Sequence, residues 1–281
     1  MIFVAFVVHG LRRPGRATLL LFALCCWSCA PSIITLPTGT GAPAVDGAEV
    51  VREATKACRA LKSLTAEIAA SGTVTGRRIR VRLLAGLAPP ASVRLEAIAP
   101  FGQPLFVFAG REDDATLLLP RDRRILEHGR PDAVLETVAG VPLGGADLRL
   151  VLTGCVLTPR TDEARRFGDA WRVLPEGSGD VYLHREPRGP WRVVAAVRNA
   201  TGAASWRSEY RDFHVDGAAA GLPATVRLMS ADRKRFDLRL ALTQVELNTV
   251  LDATTFEIQK PRDVAPITLE ELKQSGPLSN P

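Results

Sequence analysis

Runs in which apolar and charged residues alternate recur along most of this chain, and that period of two constrains its fold more than any other feature. In Ile79-Arg80-Val81-Arg82-Leu83 the aliphatic side chains take one phase and the arginines the other. A strand of an antiparallel sheet with one dry face and one wet face requires this pattern. Val93-Arg94-Leu95-Glu96-Ala97 repeats it, and the stretch 65–74 gives a further strand joined by the tight turn Thr75-Gly76-Arg77. The same reading predicts strands at 105–108, 115–119, 124–126, 170–174, 180–184, 191–195, 205–210, 225–229 and 236–242. Gly, Pro and Asp mark the turns at 175–179, 187–190, 217–223 and 232–234. Such short connections place sequence neighbours side by side.

Helical spacing interrupts the alternation in three places. Val50, Ala54, Ala57, Leu61 and Leu64 recur at three and four residues, predicting an amphipathic helix over 49–64. Residues 133–138 and 146–152 carry the same spacing, with Thr153-Gly154 as a glycine stop. The predicted class is mainly β with helices: an antiparallel, unclosed half-barrel of about eleven strands covered by helices. A sheet this long curls, and a concave apolar face larger than its helices can cover would leave a pocket.

The N-terminal segment leads one to expect that the protein works outside the cytoplasm. Arg12-Arg13-Pro14-Gly15-Arg16 precedes an apolar run from Ala17 and the block Cys26-Trp27-Ser28-Cys29, which reads as an export signal over 1–28. The run is shorter than the roughly 20 residues that span a bilayer. The apolar start 1–8 lies ahead of the arginines, as a start assigned too far upstream would produce. The block resembles a bacterial lipobox, which would make Cys29 the lipidated first mature residue; a simple cleaved signal ending near Ser28 or Ala30 and an uncleaved anchor are the alternatives. Residues 29–47, rich in Pro, Gly and Thr, are expected to be a flexible tether to a domain over 48–275, with 276–281 as a tail.

Charge and cysteines narrow the function. The net charge of +6 includes three arginines of the leader, and no run of Lys or Arg forms a nucleic-acid arm. Arg80, Arg82 and Arg94 fall in the polar phase and are expected to face solvent, where an arginine at the rim is able to meet a lipid headgroup. Cys58 and Cys155 remain beyond the leader; an oxidising compartment lets them pair, and the sequence leaves a disulfide and two buried thiols both open.

The early helix with Leu61, Leu64 and Gly72, the strands 79–83 and 93–100, the motif Ala99-Pro100-Phe101-Gly102-Gln103-Pro104-Leu105-Phe106, and the segment 143–155 ending Leu152-Thr153-Gly154-Cys155 resemble the LolA/LolB-like family of outer-membrane lipoprotein carriers, in particular its LolB-like branch. The endings 256–261 and 267–272 add to the likeness. The resemblance implies an unclosed barrel that holds acyl chains under a helical lid. By the same resemblance, an alanine rather than an aspartate after Cys29 suggests outer-membrane anchoring on the periplasmic face.

Ligand contact in such a carrier needs apolar side chains and no activated nucleophile. The inward phase supplies Ile79, Val81, Leu83, Val93, Leu95, Phe106, Phe108, Leu117, Trp191, Val193, Leu238 and Leu240, and each of these serves plain core packing equally well. Trp171 and Trp191, each near a turn, are candidates to flank an opening. Phe101 and Leu105 are candidates for a membrane or cargo loop.

Enzyme chemistry finds little support. His128, His184 and His214 have no metal-ligand spacing, no Gly-x-Ser-x-Gly or phosphate-binding glycine loop is present, and Asp113-Asp114 and Glu270-Glu271 point apart. The expectation is a non-catalytic protein with no metal and no cofactor besides a lipid on Cys29. Its partners would be acyl chains of lipoproteins or lipids, the outer membrane, and a periplasmic carrier or envelope protein. The alternative is a structural or assembly lipoprotein that presents its curved sheet to a protein.

Overall fold

A computed structural model describes residues 33–98, 104–156, 158–199 and 205–275. The fold below is that of the unit Leu36–Pro281. The leader with Cys29, the motif 99–103 with Phe101, and the tail 276–281 lie outside the described residues.

Fifteen strands form one unclosed sheet. In chain order they are β1 (Ala42–Pro43), β2 (Leu64–Val74), β3 (Arg77–Ala88), β4 (Ser92–Ile98), β5 (Pro104–Arg111), β6 (Asp114–Leu119), β7 (Arg124–Gly129), β8 (Arg165–Phe167), β9 (Trp171–Glu176), β10 (Gly179–His184), β11 (Arg192–Arg198), β12 (Trp206–Phe213), β13 (Pro223–Ser230), β14 (Phe236–Leu247) and β15 (Ala265–Pro266). Two meanders, β2 to β7 and β8 to β14, are joined where β14 pairs antiparallel with β2, from Phe236↔Val74 to Leu247↔Leu64. Every neighbouring pair is antiparallel except β15 on β7.

The sheet exceeds the expected count of about eleven; beyond the twelve segments read as strands it adds β1, β8 and β15, which are two or three residues long and lie at or beside the edges. Runs that short carry no readable alternation. Pro43 and Pro266 sit in the two outermost strands, and proline there removes a donor that another chain would pair with.

Five helices occur among the described residues: α1 (Gly47–Ala54), α2 (Lys56–Arg59), α3 (Pro131–Ala139), α4 (Gly145–Thr153) and α5 (Leu269–Ser275). The predicted helix 49–64 is shorter and broken. Thr55 turns its hydroxyl onto the Val51 carbonyl at 2.7 Å, the chain leaves helical geometry there, and Leu64 opens β2 instead. Both readings bury Leu61 and Leu64, so apolar spacing alone could not separate them. Helices α3 and α4 fall where predicted, and each ends on a glycine in the left-handed region, Gly140 (φ 71°) and Gly154 (φ 68°).

The expected tether is shorter than 29–47. Ala42 and Pro43 pair with β8, Ala44 is buried, and Asp46 holds Arg172 of β9 through two hydrogen bonds of 2.8 and 2.7 Å. Gly47 is close-packed: a Cβ there would lie 2.6 Å from the Thr161 carbonyl oxygen. The folded body thus begins by residue 42.

The C-terminal segment also departs from expectation. Arg94, expected in solvent, lies under it and donates to the carbonyls of Thr255 (3.2 Å) and Glu257 (3.1 Å). From there the chain rounds the β7 edge as β15 and places Leu272 of α5, fully buried, against α3. Residues 251–275 therefore clamp both faces of one end of the sheet.

Leu117, at the centre of the inner face, is 0 % exposed, whereas Val81 on the same face is only half-buried. Leu117→Ala is expected to lower unfolding free energy by about 2–5 kcal/mol through transfer and cavity terms, and Val81→Ala by less than about 1.5 kcal/mol. Urea denaturation followed by circular dichroism measures both, and equal losses would contradict the assignment of Val81 to a half-open surface.

Candidate functional site

The register assigns each strand residue to a face. Leu238↔Gly72↔Ile79, Leu240↔Ala70↔Val81 and Leu242↔Ile68↔Leu83 run across β14, β2 and β3 as rows of the inner face. Leu83↔Ala97↔Phe106 and Leu95↔Phe108↔Leu117 continue the face through β4, β5 and β6. Ten of the twelve residues predicted to contact a ligand therefore share one surface: Ile79, Val81, Leu83, Val93, Leu95, Phe106, Phe108, Leu117, Leu238 and Leu240. Trp191 and Val193 belong to the same continuous core but lie at its other end, under α1.

Trp191 is not a mouth residue. It is 5 % exposed, with the guanidinium groups of Arg172 (5.0 Å) and Arg185 (4.8 Å) over its ring. Its backbone N–H donates to Glu53 of α1 at 3.1 Å. The alternation placed it on the correct face, but nothing in the sequence shows that two arginines and a helix close over it. Trp171 stacks on His184 with ring centroids 4.4 Å apart, and the register puts both on the outer face.

Helices α3 and α4 cover the inner face. Val134, Leu135 and Val138 of α3, and Leu148, Val151 and Leu152 of α4, are all buried in the same cluster as the strand residues. The expected standing hollow is not seen among the described residues. Of the two best-formed cavities, the larger, about 430 Å³, lies on the polar surface between Arg160, Arg165, Ser178 and Asp180. The other, about 10 Å³, is bounded by Leu61, Leu64, Leu87 and Arg149, space for at most one water molecule. Helix side chains fill the volume that strand counting assigned to a guest.

The cover ends short of the sheet. On β3, Ile79, Val81 and Leu83 are half-buried, as are Val74, Leu105 and Ala139 beside them. These six make an apolar ledge that continues the buried inner face toward the tip of the β2–β3 hairpin. Gly140, just past α3, reaches this ledge: a Cβ on it would fall 2.5 Å from a methyl of Val74. Leu105, read both as the start of the strand 105–108 and as a candidate for a membrane or cargo loop, lies in β5 as part of the ledge.

The two covering helices are held differently. Cys155, immediately after α4, is bonded to Cys58 of α2. Tyr210, 1 % exposed, donates to the Leu150 carbonyl at 2.7 Å and accepts from Ser208 at 2.8 Å. Burial pushes its phenol well above the ordinary tyrosine range. Arg198 of β11 joins Asp147 of α4 (3.6 Å) to the buried carboxylate of Glu176 (2.6 Å). Helix α3 has apolar contacts and a surface ion pair, Glu136 with Arg235 at 2.9 Å, a kind of pair that contributes at most about 1 kcal/mol. Of the two, α3 is therefore the easier to lift.

Comparison with known proteins places the architecture. No family model matches the chain, and no curated protein sequence matches it. The fold is LolA-like: a LolA superfamily protein from Nitrosomonas europaea superposes with a TM-score of 0.53 over 76 % of this chain and 99 % of its own length, at 12 % identity. An outer membrane lipoprotein-sorting protein domain from Vibrio parahaemolyticus (TM-score 0.46, 11 % identity, 75 % and 97 % covered) and the Mycobacterium tuberculosis lipoprotein LppX (TM-score 0.30, 12 % identity, 73 % and 97 % covered) align more loosely. Among the described residues, no group of three or more His, Cys, Asp or Glu is placed to hold a metal. No described helix is long and apolar enough to cross a membrane.

The anchoring of α4 is open to test in two ways. The bridge closes a loop spanning 97 residues, so replacing both cysteines by alanine is expected to cost about 3–5 kcal/mol and to speed amide exchange in α4 first. Unchanged exchange there would show that the bridge does not hold the helix. Burial raises the Asp147 carboxyl above its ordinary 3.8, outweighing Arg198. The folded state thus binds this proton more tightly than the unfolded chain, and stability falls as pH rises from 3.8 through the raised value. As pH rises above the ordinary carboxylate range, Asp147→Asn is expected to lose less stability than the parent, as read from denaturant midpoints.

Proposed function

We propose that this protein is a non-catalytic envelope carrier, which takes acyl chains of lipoproteins or lipids onto the inner face of its sheet and assists their transfer or insertion. On this reading a lipid on Cys29 anchors it to the outer membrane, facing the periplasm, and it exchanges cargo with a periplasmic carrier or another envelope protein. The observation that carries the proposal is the ledge of Ile79, Val81 and Leu83, where the apolar face that is sealed under α3 and α4 emerges half-exposed. An acyl chain that lands on this ledge has a continuous apolar path inward if α3 gives way.

Magnitudes favour that exchange. Lifting α3 exposes Val134, Leu135 and Val138, each at about 1.5–3 kcal/mol. An acyl chain of roughly 16 carbons buries methylenes at about 0.8 kcal/mol apiece, on the order of 12 kcal/mol in all. Measured from water, one chain therefore offsets the displaced helix. The interior is filled when empty of cargo because an exposed apolar trough of this size would itself promote association.

The filled interior also suits the second reading, an assembly lipoprotein that uses the curved sheet as a protein-binding surface. The prolines in both outermost strands disfavour partner binding by strand addition.

Native mass spectrometry of the full-length protein, purified gently, is expected to show a bound hydrophobic guest, and a fluorescent fatty acid is expected to bind the emptied protein. Val81→Asp, at a half-buried position the fold tolerates, should weaken fatty-acid binding at least about tenfold with little change in thermal midpoint. A guest-free protein that also ignores the fatty acid would reject the carrier reading and leave the assembly role.

A further inference from the structure

The outer face of the sheet is charged in two different ways. Across β12 and β13 the charges are balanced: Glu209, fully buried, sits between Arg207 and Arg211, and Asp237 of β14 holds Arg227 at 2.7 and 2.9 Å. Toward the β2–β3 hairpin the balance is lost. Arg78 and Arg80 of β3 and Arg239 of β14 are exposed and make no ion pair among the described residues. Their register is Arg80↔Ser71↔Arg239 and Arg78↔Thr73↔Asp237. The residues between them on β2, Ser71 and Thr73, are too short to screen them. Arg82 continues the row, its contact with Glu67 a loose 3.7 Å. A sheet that needed only a wetted outer face would be served by the alternation of signs seen on β12.

These arginines lie on the reverse side of the ledge. Along β3 the order is Arg78, Ile79, Arg80, Val81, Arg82, Leu83, with cations outside and half-buried aliphatic groups inside. Leu84, next in the outer row, is 41 % exposed. One strand thus offers fixed positive charge and accessible apolar surface within a few ångströms, the chemistry of the boundary between headgroups and acyl chains. An acidic protein would use the charge and leave the apolar edge without a role.

We propose that the outer surface of β3 and β14 is a docking surface for anionic phospholipid headgroups, with the tip of the β2–β3 hairpin turned toward the membrane so that the apolar ledge on its inner side stands beside the same headgroups. This inference rests on the acyl-carrier reading for its purpose, and its test separates the two.

The full-length protein is mixed with vesicles of phosphatidylcholine alone or with roughly a third phosphatidylglycerol, and binding is measured by flotation. The parent is expected to prefer the anionic vesicles at least about tenfold, and the preference should fade with added salt. The triple variant Arg78→Gln/Arg80→Gln/Arg239→Gln should lose most of that preference. Lys62→Gln/Arg121→Gln/Arg188→Gln removes the same charge from exposed positions elsewhere and should keep it. The N-terminal segment is identical in all three proteins, so its own membrane affinity cancels.

Equal loss in both variants would reduce the effect to net charge and overturn the proposal. So would an unaltered preference in the first variant. A parent indifferent to lipid charge would overturn it too and turn attention to an acidic protein as the occupant. Native mass spectra of the same samples keep the readings distinct. A guest retained by the arginine variant that no longer prefers anionic vesicles supports docking and carriage as separate acts of one protein. Absence of any guest beside intact arginine-dependent docking removes the carrier reading alone.

Discussion

The pairing of β14 with β2 is the constraint on which the rest of the structure depends. It joins the last long strand of one meander to the first strand of the other, over residues separated by about 160 to 180 positions in the chain. Without it there would be two smaller sheets, each with an open edge and too little concavity to hold helices. With it the inner rows of β12 to β14 and of β2 to β6 become one apolar surface, and α3 and α4 cover that surface in common. A long-range pairing of this kind is entropically expensive to reach, which is why its alternation must be strict: a slip of one residue would turn Leu238, Leu240 and Leu242 into solvent.

The helical cover follows from this surface but is asymmetric. Helix α4 is tied by a disulfide, by the Tyr210 hydroxyl on its last turn and by Arg198 at its first. Helix α3 rests on apolar contacts, with Leu272 of the C-terminal helix behind it. Polar bonds demand fixed geometry, whereas apolar contacts can be exchanged for those of another apolar body at small net cost. The molecule therefore has one fixed and one replaceable half-lid over the same face, and the replaceable half borders the ledge of β3.

Much of the fold was legible in the sequence, for a physical reason. Alternation on β2 to β7 and β9 to β14 records which side of each strand meets water, and that is decided residue by residue. The glycine stop at Gly154 was equally visible, because the left-handed geometry there suits glycine, whereas the matching stop at Gly140 was not read. The broken helix near Thr55 was not, since a side-chain bond to one carbonyl redirected a segment whose apolar spacing fits a helix and a strand alike. Arg94 was misplaced for a related reason: its phase was correct, but the chain returns 161 residues later to cover it.

The sequence by itself determined the class of structure, the dry and wet phase of nearly every strand, and the absence of motifs for catalysis, because those properties are local. Only the tertiary structure decided what lies against the dry phase. It sealed Trp191 under two arginines, filled the volume a hollow would have occupied with α3 and α4, and left Ile79, Val81 and Leu83 half-open. It also separated the paired arginines of β12 and β13 from Arg78, Arg80 and Arg239, which pair with no acid among the described residues, a distinction that one-dimensional charge counting cannot make. Burial and ion pairing depend on which distant segments arrive at a face, and that is fixed by register and chain return, not by the residues of the face themselves.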